Sequence, residues 1–344
     1  MRCPYCLENS DPKVVNGHNY RCGECDEVLP RDYVESRNIP KGRIGIVGFA
    51  GHGKTCYLTA LFHALQKIYP AQWRGFYLAC MNEYTGLFTY RMIPAFQRGE
   101  LPPSTASAFP QPTIYHLNEI PQFGRCILTF YDTRGEVFEQ IHRITGAGRF
   151  VAHADCILFI VSLTDCTGSH EPWHVSMKRL LDTYVMATKD YLGAHLKRQR
   201  LVVVLTKADL LIAHEAFSVP ETLRRYLIEQ MPQDYGDPLA QWRALPEISG
   251  RIERWLAGHG AAPFVNMVRA EFKSVRYTMV SATGAAPAGR TMGVEIDPND
   301  TRRVIDPLLC ILEGIQADHA PWRTRMGDFW FKFRSAALRF AREI

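Results

Sequence analysis

The 344-residue sequence has no long apolar run. The best stretch, Cys156 to Val161, is far shorter than the ~20 residues of a membrane-spanning helix, and reads as a buried strand. Charge of one sign is not in excess either. Forty basic residues against 35 acidic ones leave +5, which is mild and does not by itself point to nucleic acid. The start, Met1-Arg2-Cys3-Pro4, has no apolar leader, so a cytoplasmic, reducing location is expected. The composition is not that of a disordered chain, with 47% hydrophobic and 22% charged residues. The length suits one large α/β domain plus a small module.

What is present is concentrated at residues 43–55. Ile44, Ile46 and Val47 form a short apolar run that stops at Gly48, followed by Gly48-x-x-x-x-Gly53-Lys54-Thr55. This is the phosphate-binding loop pattern. Gly48, Gly51 and Gly53 let the backbone curl so that N–H groups point at phosphate oxygens. His52 lies in the same loop and Cys56 directly after it, and both are expected at the nucleotide. Lys54 is expected to reach the β- and γ-phosphates, and Thr55 to place its hydroxyl on Mg²⁺. Beyond the loop, Leu58, Leu61, Leu65 and Ile68 recur at helical spacing, and the helix would add its positive N-terminal end.

A second signal lies in front. Cys3-Pro4-Tyr5-Cys6 and Cys22-Gly23-Glu24-Cys25 are two Cys-x-x-Cys knuckles with fifteen residues between them. That is the spacing of a four-cysteine zinc ribbon, with an iron site of rubredoxin type as the alternative. So short a segment has no core, and the metal would supply its folding energy. Cys56, Cys80, Cys126, Cys156, Cys166 and Cys310 sit singly among apolar neighbours and read as buried thiols. The expected organisation is a ribbon over 1–30, a polar linker over 31–42, a nucleotide domain over 43–318 and a tail over 319–344.

Within the domain, a strand is expected at Phe76 to Cys80 and a helix at Tyr84 to Phe96. Residues 98–112, with four prolines, read as an open loop. Thr113 to Ile120 and Arg125 to Tyr131 are strand-like, and the short Pro121-Gln122-Phe123-Gly124 connection forces an antiparallel hairpin. The hairpin ends in Asp132-Thr133-Arg134-Gly135-Glu136. Asp132 is expected to hold Mg²⁺ through water, the Gly135 N–H to meet the γ-phosphate, and Glu136 to orient the attacking water. Asp155 to Leu163 and Leu201 to Leu205 read as central parallel strands. The second runs into Thr206-Lys207-Ala208-Asp209, where Asp209 can accept from the N1–H and N2–H₂ of guanine and the Lys207 stem can lie along the base. Tyr277 to Val280 leads into Ser281-Ala282-Thr283, whose backbone can meet the guanine carbonyl. Helices over 223–231, 238–256 and 264–272 form an insertion around 211–272.

In order and topology these motifs resemble Ras-like GTPases of the translation-factor class, marked by the antiparallel hairpin before Asp132. The ribbon, Leu101-Pro102-Pro103-Ser104-Thr105, the Asp-Thr-x-Gly-Glu segment and Arg303-Val304-x-x-Pro307-Leu308 are similar to the bacterial double-GTPase family of conflict systems. The resemblance implies a Rossmann-like α/β P-loop fold, a mostly parallel sheet with one antiparallel strand, and GTP/GDP, Mg²⁺ and Zn²⁺ as cofactors. It implies a GTP-hydrolysing switch with a defence-like role, and a second GTPase, adaptors or an activating protein as partners. Thr105 is the first-switch hydroxyl for Mg²⁺, with Ser104 and Thr113 in reserve. Lys54, Glu136, Arg134 and Thr105 make up the catalytic set. Two departures stand out: Thr206 replaces Asn, at the loss of a tie to the phosphate loop, and Glu136 replaces Gln or His. Two alternatives remain, a non-hydrolysing nucleotide-bound scaffold and an RNA- or translation-associated GTPase, against which the weak basic pattern argues. Phe329, Phe333, Ala336, Phe340 and Ile344 share a helical face among basic residues, suited to the inner membrane face or to a partner.

Overall fold

A computed structural model describes residues 1–15, 17, 19–103, 105, 109–166, 172–213, 215–229, 238–284 and 300–319. The basic tail falls outside them, as does Ser104. The chain begins with a small antiparallel sheet of β1 (Lys13–Val15), β2 (Asn19–Arg21) and β3 (Val28–Leu29), followed by α1 (Arg31–Glu35). Next come β4 (Lys41–Val47), α2 (Lys54–His63), α3 (Tyr69–Gln72), β5 (Tyr77–Cys80) and α4 (Glu83–Gln97). The hairpin β6 (Thr113–Ile120) and β7 (Gly124–Tyr131) precedes α5 (Ile141–Gly146), β8 (Cys156–Val161), α6 (Leu163–Cys166) and α7 (Trp173–Met186). Then follow β9 (Arg200–Leu205), α8 (Ala208–Ala213), α9 (Glu221–Ile228), α10 (Pro238–Leu256), α11 (Ala262–Glu271), β10 (Ser274–Met279) and α12 (Asp306–His319).

The large sheet has the order β10-β9-β8-β4-β7-β6-β5. Pairings β10–β9, β9–β8, β8–β4 and β4–β7 are parallel, while β6 runs against both neighbours. The expected single antiparallel strand is therefore β6, and its cause is the tight 121–124 connection. β8 is apolar at every position, and β4 from Ile44 and β9 from Leu201 carry no polar side chain, because helices cover both faces. Val47, Ile157, Phe159, Val161, Leu201, Val203 and Leu205 pack on one side with Met177, Leu180 and Tyr184 of α7 and Phe264 and Val268 of α11. The intervening residues Ile44, Ile46, Leu158, Ile160, Val202 and Val204 pack on the other side with α2 and with Leu308, Leu309 and Ile311 of α12. The side-chain alternation of a strand thus feeds two apolar layers instead of one.

The helix after the phosphate loop is buried almost all round from Tyr57 to His63, and passes through a π turn over Ala64–Ile68 before α3. Helices α8 to α11 lie between β9 and β10. Two sequence readings need correction. The segment read as a polar linker carries α1, whose Tyr33 is 4% exposed and packs with Ile114 and Ile127 under the sheet. Cys80 is exposed and not buried, because β5 is the edge strand of the sheet. Cys56 is half-buried, and the side chain of Cys166 lies outside the described residues.

Candidate nucleotide site and cysteine cluster

All the motif loops leave the sheet at one end, the carboxyl ends of the parallel strands. The phosphate loop follows β4, Asp132 follows β7, Thr206 follows β9 and Val280-Ser281 follows β10. Thr105 reaches the same end because antiparallel β6 starts there, with Thr113 paired to Phe130. Such an edge is where open α/β sheets bind ligands.

Gly51 and Gly53 adopt φ of +78°, the left-handed region in which side chains are strained. The Lys54 ammonium is buried and donates to the carbonyls of Gly48 (3.0 Å) and Phe49 (2.9 Å). Burial pulls its pKa down, against the opposing pull of Asp132 and Glu136. Three oxygens converge beside it. Thr55 Oγ1 lies 2.7 Å from Thr105 Oγ1 and donates to Asp132 Oδ2 at 2.8 Å, and Thr105 Oγ1 donates to the same Oδ2 at 3.3 Å. The other carboxylate oxygen, Asp132 Oδ1, is buried without a hydrogen-bond partner. Burial pushes the Asp132 carboxyl up in pKa, while Lys54, Thr55 and Thr105 hold it down. An all-oxygen set with a buried lone pair unfilled suits a hard divalent cation, and Mg²⁺ fits it. Thr113, the reserve hydroxyl, is instead the buried first residue of β6.

Gly135 presses against the phosphate loop. A Cβ placed on it would stand 1.9 Å from Ala50 N and 2.2 Å from the Phe49 carbonyl carbon. Val137 and Phe138 are buried and anchor the segment that follows. Arg134 is exposed, and its Nε donates to the Thr105 carbonyl, tying the Asp132 segment to the 98–112 loop. Among the contacts described for Glu136 is its backbone carbonyl, which accepts from Arg143 at 3.4 Å.

At the end of β9 the structure corrects the reading of Thr206. The hydroxyl donates to the His52 carbonyl at 2.7 Å, so the tie to the phosphate loop is kept. Lys207 has φ of +52°, turning the segment sharply, and the Ala208 N–H donates to the Val280 carbonyl at 3.1 Å. Asp209 Oδ1 is buried with no partner, as a base-reading acceptor would be. Burial pushes the Cys56 thiol up to about 11, with Lys207 and Asp209 near enough to perturb it. Ser281 exchanges two backbone hydrogen bonds with Arg302, and its Oγ accepts from Gly284 N at 3.1 Å. Ala282 and Thr283 follow in the same turn.

Sequence reasoning missed the pin behind that turn. Arg303 is 4% exposed, stacks on the Tyr226 ring at 3.8 Å and donates to the Tyr226 carbonyl at 2.7 Å, while the Tyr226 hydroxyl donates to fully buried Asp306. No spacing in the sequence signals it, since Tyr226 lies 77 residues from Arg303 and 80 from Asp306.

In the N-terminal module the sulfur atoms of Cys3, Cys6, Cys22 and Cys25 lie within 4.8 Å of one another. The two knuckles repeat one geometry. Cys3 N and Cys22 N donate to Glu8 and Glu27 carbonyls, and Leu7 N and Asp26 N donate back to Cys3 and Cys22. Leu7 and Asp26 take φ of +70° and +59°. Backbone N–H groups of Tyr5 and Glu24 point at the Cys3 and Cys22 sulfurs (3.3 and 3.4 Å), which favours thiolates. At Cys22 burial raises the pKa, but hydrogen bonds from Ser10 and the Cys25 and Glu24 backbone outweigh it, leaving the thiol at about 6, whereas burial prevails at Cys3, which is raised, and at Cys25, which is pushed up to about 11. Four such donors fit tetrahedral zinc. One zinc per chain is expected by elemental analysis, and Cys22→Ser should lose it; unchanged zinc in that variant would rule the site out.

A family model described as Double-GTPase 2 matches residues 42–238, more than half of the chain. The match spans the phosphate loop, the Asp132 segment and Thr206 to Asp209. No curated protein matches the chain.

Proposed function

The chain belongs to the Double-GTPase 2 family, and from that premise we propose that it is a Mg²⁺-dependent GTP-hydrolysing switch. Family membership supports the GTPase activity in its broad sense. The observation that carries the finer reading is the convergence of Thr55, Thr105 and Asp132 around the partnerless Asp132 Oδ1. When bound there, Mg²⁺ supplies charge neutralisation for the transferring phosphoryl group.

The residues divide the work. The phosphate loop amides and Lys54 hold the phosphates. Thr55, Thr105 and Asp132 hold the cation. The Gly135 amide takes the γ-phosphate, Glu136 orients water, and Asp209 with the Ser281–Thr283 turn reads the base. Thr105 and Gly135 sit on separate loops joined by Arg134, so GTP orders both and hydrolysis releases them. The family name supports a second GTPase as partner, and the resemblance to conflict systems supports adaptors and a defence role. The cytoplasm is the proposed location, with the basic tail as a contact for the membrane face or a partner.

Hydrolysis by the isolated chain is expected to be slow. Glu136 adds negative charge near the γ-phosphate and lacks an N–H to donate. Arg134, held on the Thr105 carbonyl, acts as a strut and not as a free finger. A positive group from a partner is then worth roughly 10³–10⁵ in kcat. Phosphate release from GTP, with and without proteins co-purified from the host, tests this. Thr105→Ala should weaken the Mg²⁺ dependence, and no turnover under any condition would favour a nucleotide-bound scaffold. Fast turnover by the chain alone would overturn the partner requirement and make Arg134→Ala the next variant.

A further inference from the structure

The four-cysteine module is fastened to the nucleotide domain at points that lead straight to the cation site. Tyr131, the residue immediately before Asp132, is 1% exposed, and its hydroxyl donates to the Pro4 carbonyl at 2.7 Å. Pro4 lies between the cysteines of the first knuckle. Its neighbour in that knuckle, Tyr5, accepts a hydrogen bond from Asn82 Nδ2 at 3.2 Å. Asn82 Nδ2 also donates to the Pro112 carbonyl at 3.0 Å, at the end of the loop that carries Thr105. The Asn82 side chain further caps α4 by accepting from Thr85 N at 2.9 Å, and Thr85 Oγ1 accepts from Ile114 N at 2.7 Å. Leu7, one residue past the knuckle, is 1% exposed and belongs to the same buried cluster as Tyr131, Phe138 and Phe150. Arg2 donates to His153 Nδ1 at 2.7 Å and closes the contact on the far side.

We propose that the Cys3–Cys6 knuckle is a positioning brace for the cation site, with Pro4 holding Tyr131 beside Asp132 and Tyr5 holding, through Asn82, the exit of the Thr105 loop. A metal-bound knuckle is a stiff turn, because Cys3 and Cys6 are both fixed to one ion. The Tyr131 fastening is one buried hydrogen bond, where a loose partner is costly, and the Asn82 fastening is a pair of half-buried ones. The two fastenings reach the two chain segments that must approach each other for Thr105 and Asp132 to share a cation. Zinc held by the ribbon and Mg²⁺–nucleotide held by the domain are therefore coupled, and coupling of affinities is reciprocal. Tyr131, Tyr5 and Asn82 are positioning residues, since none is placed on phosphate or cation. The inference rests on Asp132 and Thr105 holding Mg²⁺.

The test uses the full zinc-loaded chain and a fluorescent, non-hydrolysable GTP analogue. The Mg²⁺ concentration that half-saturates nucleotide retention is measured for the wild-type chain, Tyr131→Phe, Tyr5→Phe and Asp132→Ala. Tyr131→Phe removes one hydroxyl and keeps the ring stacked on Phe150. It is expected to keep its zinc and its unfolding transition while raising the Mg²⁺ requirement roughly five- to tenfold, the worth of about one buried hydrogen bond. Tyr5→Phe should shift it in the same direction. The reciprocal measurement is zinc affinity, by competition with a zinc-selective chromophoric chelator at constant millimolar Mg²⁺. GTP should tighten zinc in the wild-type chain and not in Tyr131→Phe. If Asp132→Ala leaves the Mg²⁺ requirement unchanged, the cation assignment itself fails. If Asp132→Ala raises it but both tyrosine variants match wild type, or zinc affinity ignores GTP, the brace is wrong while the cation site stands.

Discussion

A Gly135→Ala chain should still bind GDP within a few-fold of wild type yet lose hydrolysis by roughly 10²–10³, the usual worth of one preorganised amide at a developing charge. The reason is steric. The added methyl carbon would meet Ala50 N at 1.9 Å, Phe49 C at 2.2 Å and Ala50 Cα at 2.5 Å. These are backbone atoms of the phosphate loop and have no rotamer to move into. The segment from Asp132 to Glu136 must then retreat from the loop, and on the proposed roles this takes the Gly135 amide off the γ-phosphate and the Glu136 carboxylate away from the water it orients. GDP has no γ-phosphate and is spared. Single-turnover phosphate release, set beside GDP affinity from competition, reads the split directly. A variant with near-wild-type hydrolysis would mean that the close approach of Gly135 has no part in the reaction.

The second large effect is expected at the base. Asp209 presents a buried Oδ1 with no partner. A carboxylate offers two acceptors to the two donors on the guanine edge. Asp209→Asn turns one acceptor into a donor facing a donor. A site built on a buried polar pair rejects a mismatched ligand by about 10⁴–10⁵, and a loss of GTP affinity in that range is expected. Xanthine nucleotides carry a ring carbonyl where guanine has its amino group, so they should bind the variant better than the wild type. Competition between GTP and XTP for both proteins measures the reversal. Unchanged GTP affinity in Asp209→Asn would place base reading elsewhere.

What was legible in the sequence follows from how local each signal is. β8 is a continuous apolar run, as are β4 from Ile44 and β9 from Leu201, and a strand covered on both faces permits little else. The hairpin direction came from a connection too short to cross over. The phosphate loop, Asp132 and Asp209 were legible because each motif is a strand end with its chemistry in the next few residues, and the fold then gathers strand ends at one edge. Thr105 was a choice among loop hydroxyls, and the contact with Thr55 and Asp132 distinguishes it. The misses are contacts made across long stretches of chain. Tyr131 looked like an ordinary strand residue, and its bond to Pro4 spans 127 positions. Tyr33 looked like part of a polar linker because its neighbours are charged, and only the sheet above it explains its burial. The Thr206 substitution was read by its missing amide, whereas the hydroxyl finds the His52 carbonyl from the shorter side chain.

Leu7 and Pro4 sit against residues that the ribosome makes much later. At about 5–20 residues per second, the roughly 120 residues to Tyr131 take on the order of 6–25 seconds to appear. Throughout that interval the N-terminal module has no surface to dock on, and Leu7 is without its cover. Metal capture by four nearby thiolates needs no later residue, so the module can be complete while it waits. If zinc is the metal these thiolates take, a cell short of it would leave the module unfolded during synthesis, and the damage would show as lower yield of folded protein before any change in nucleotide chemistry.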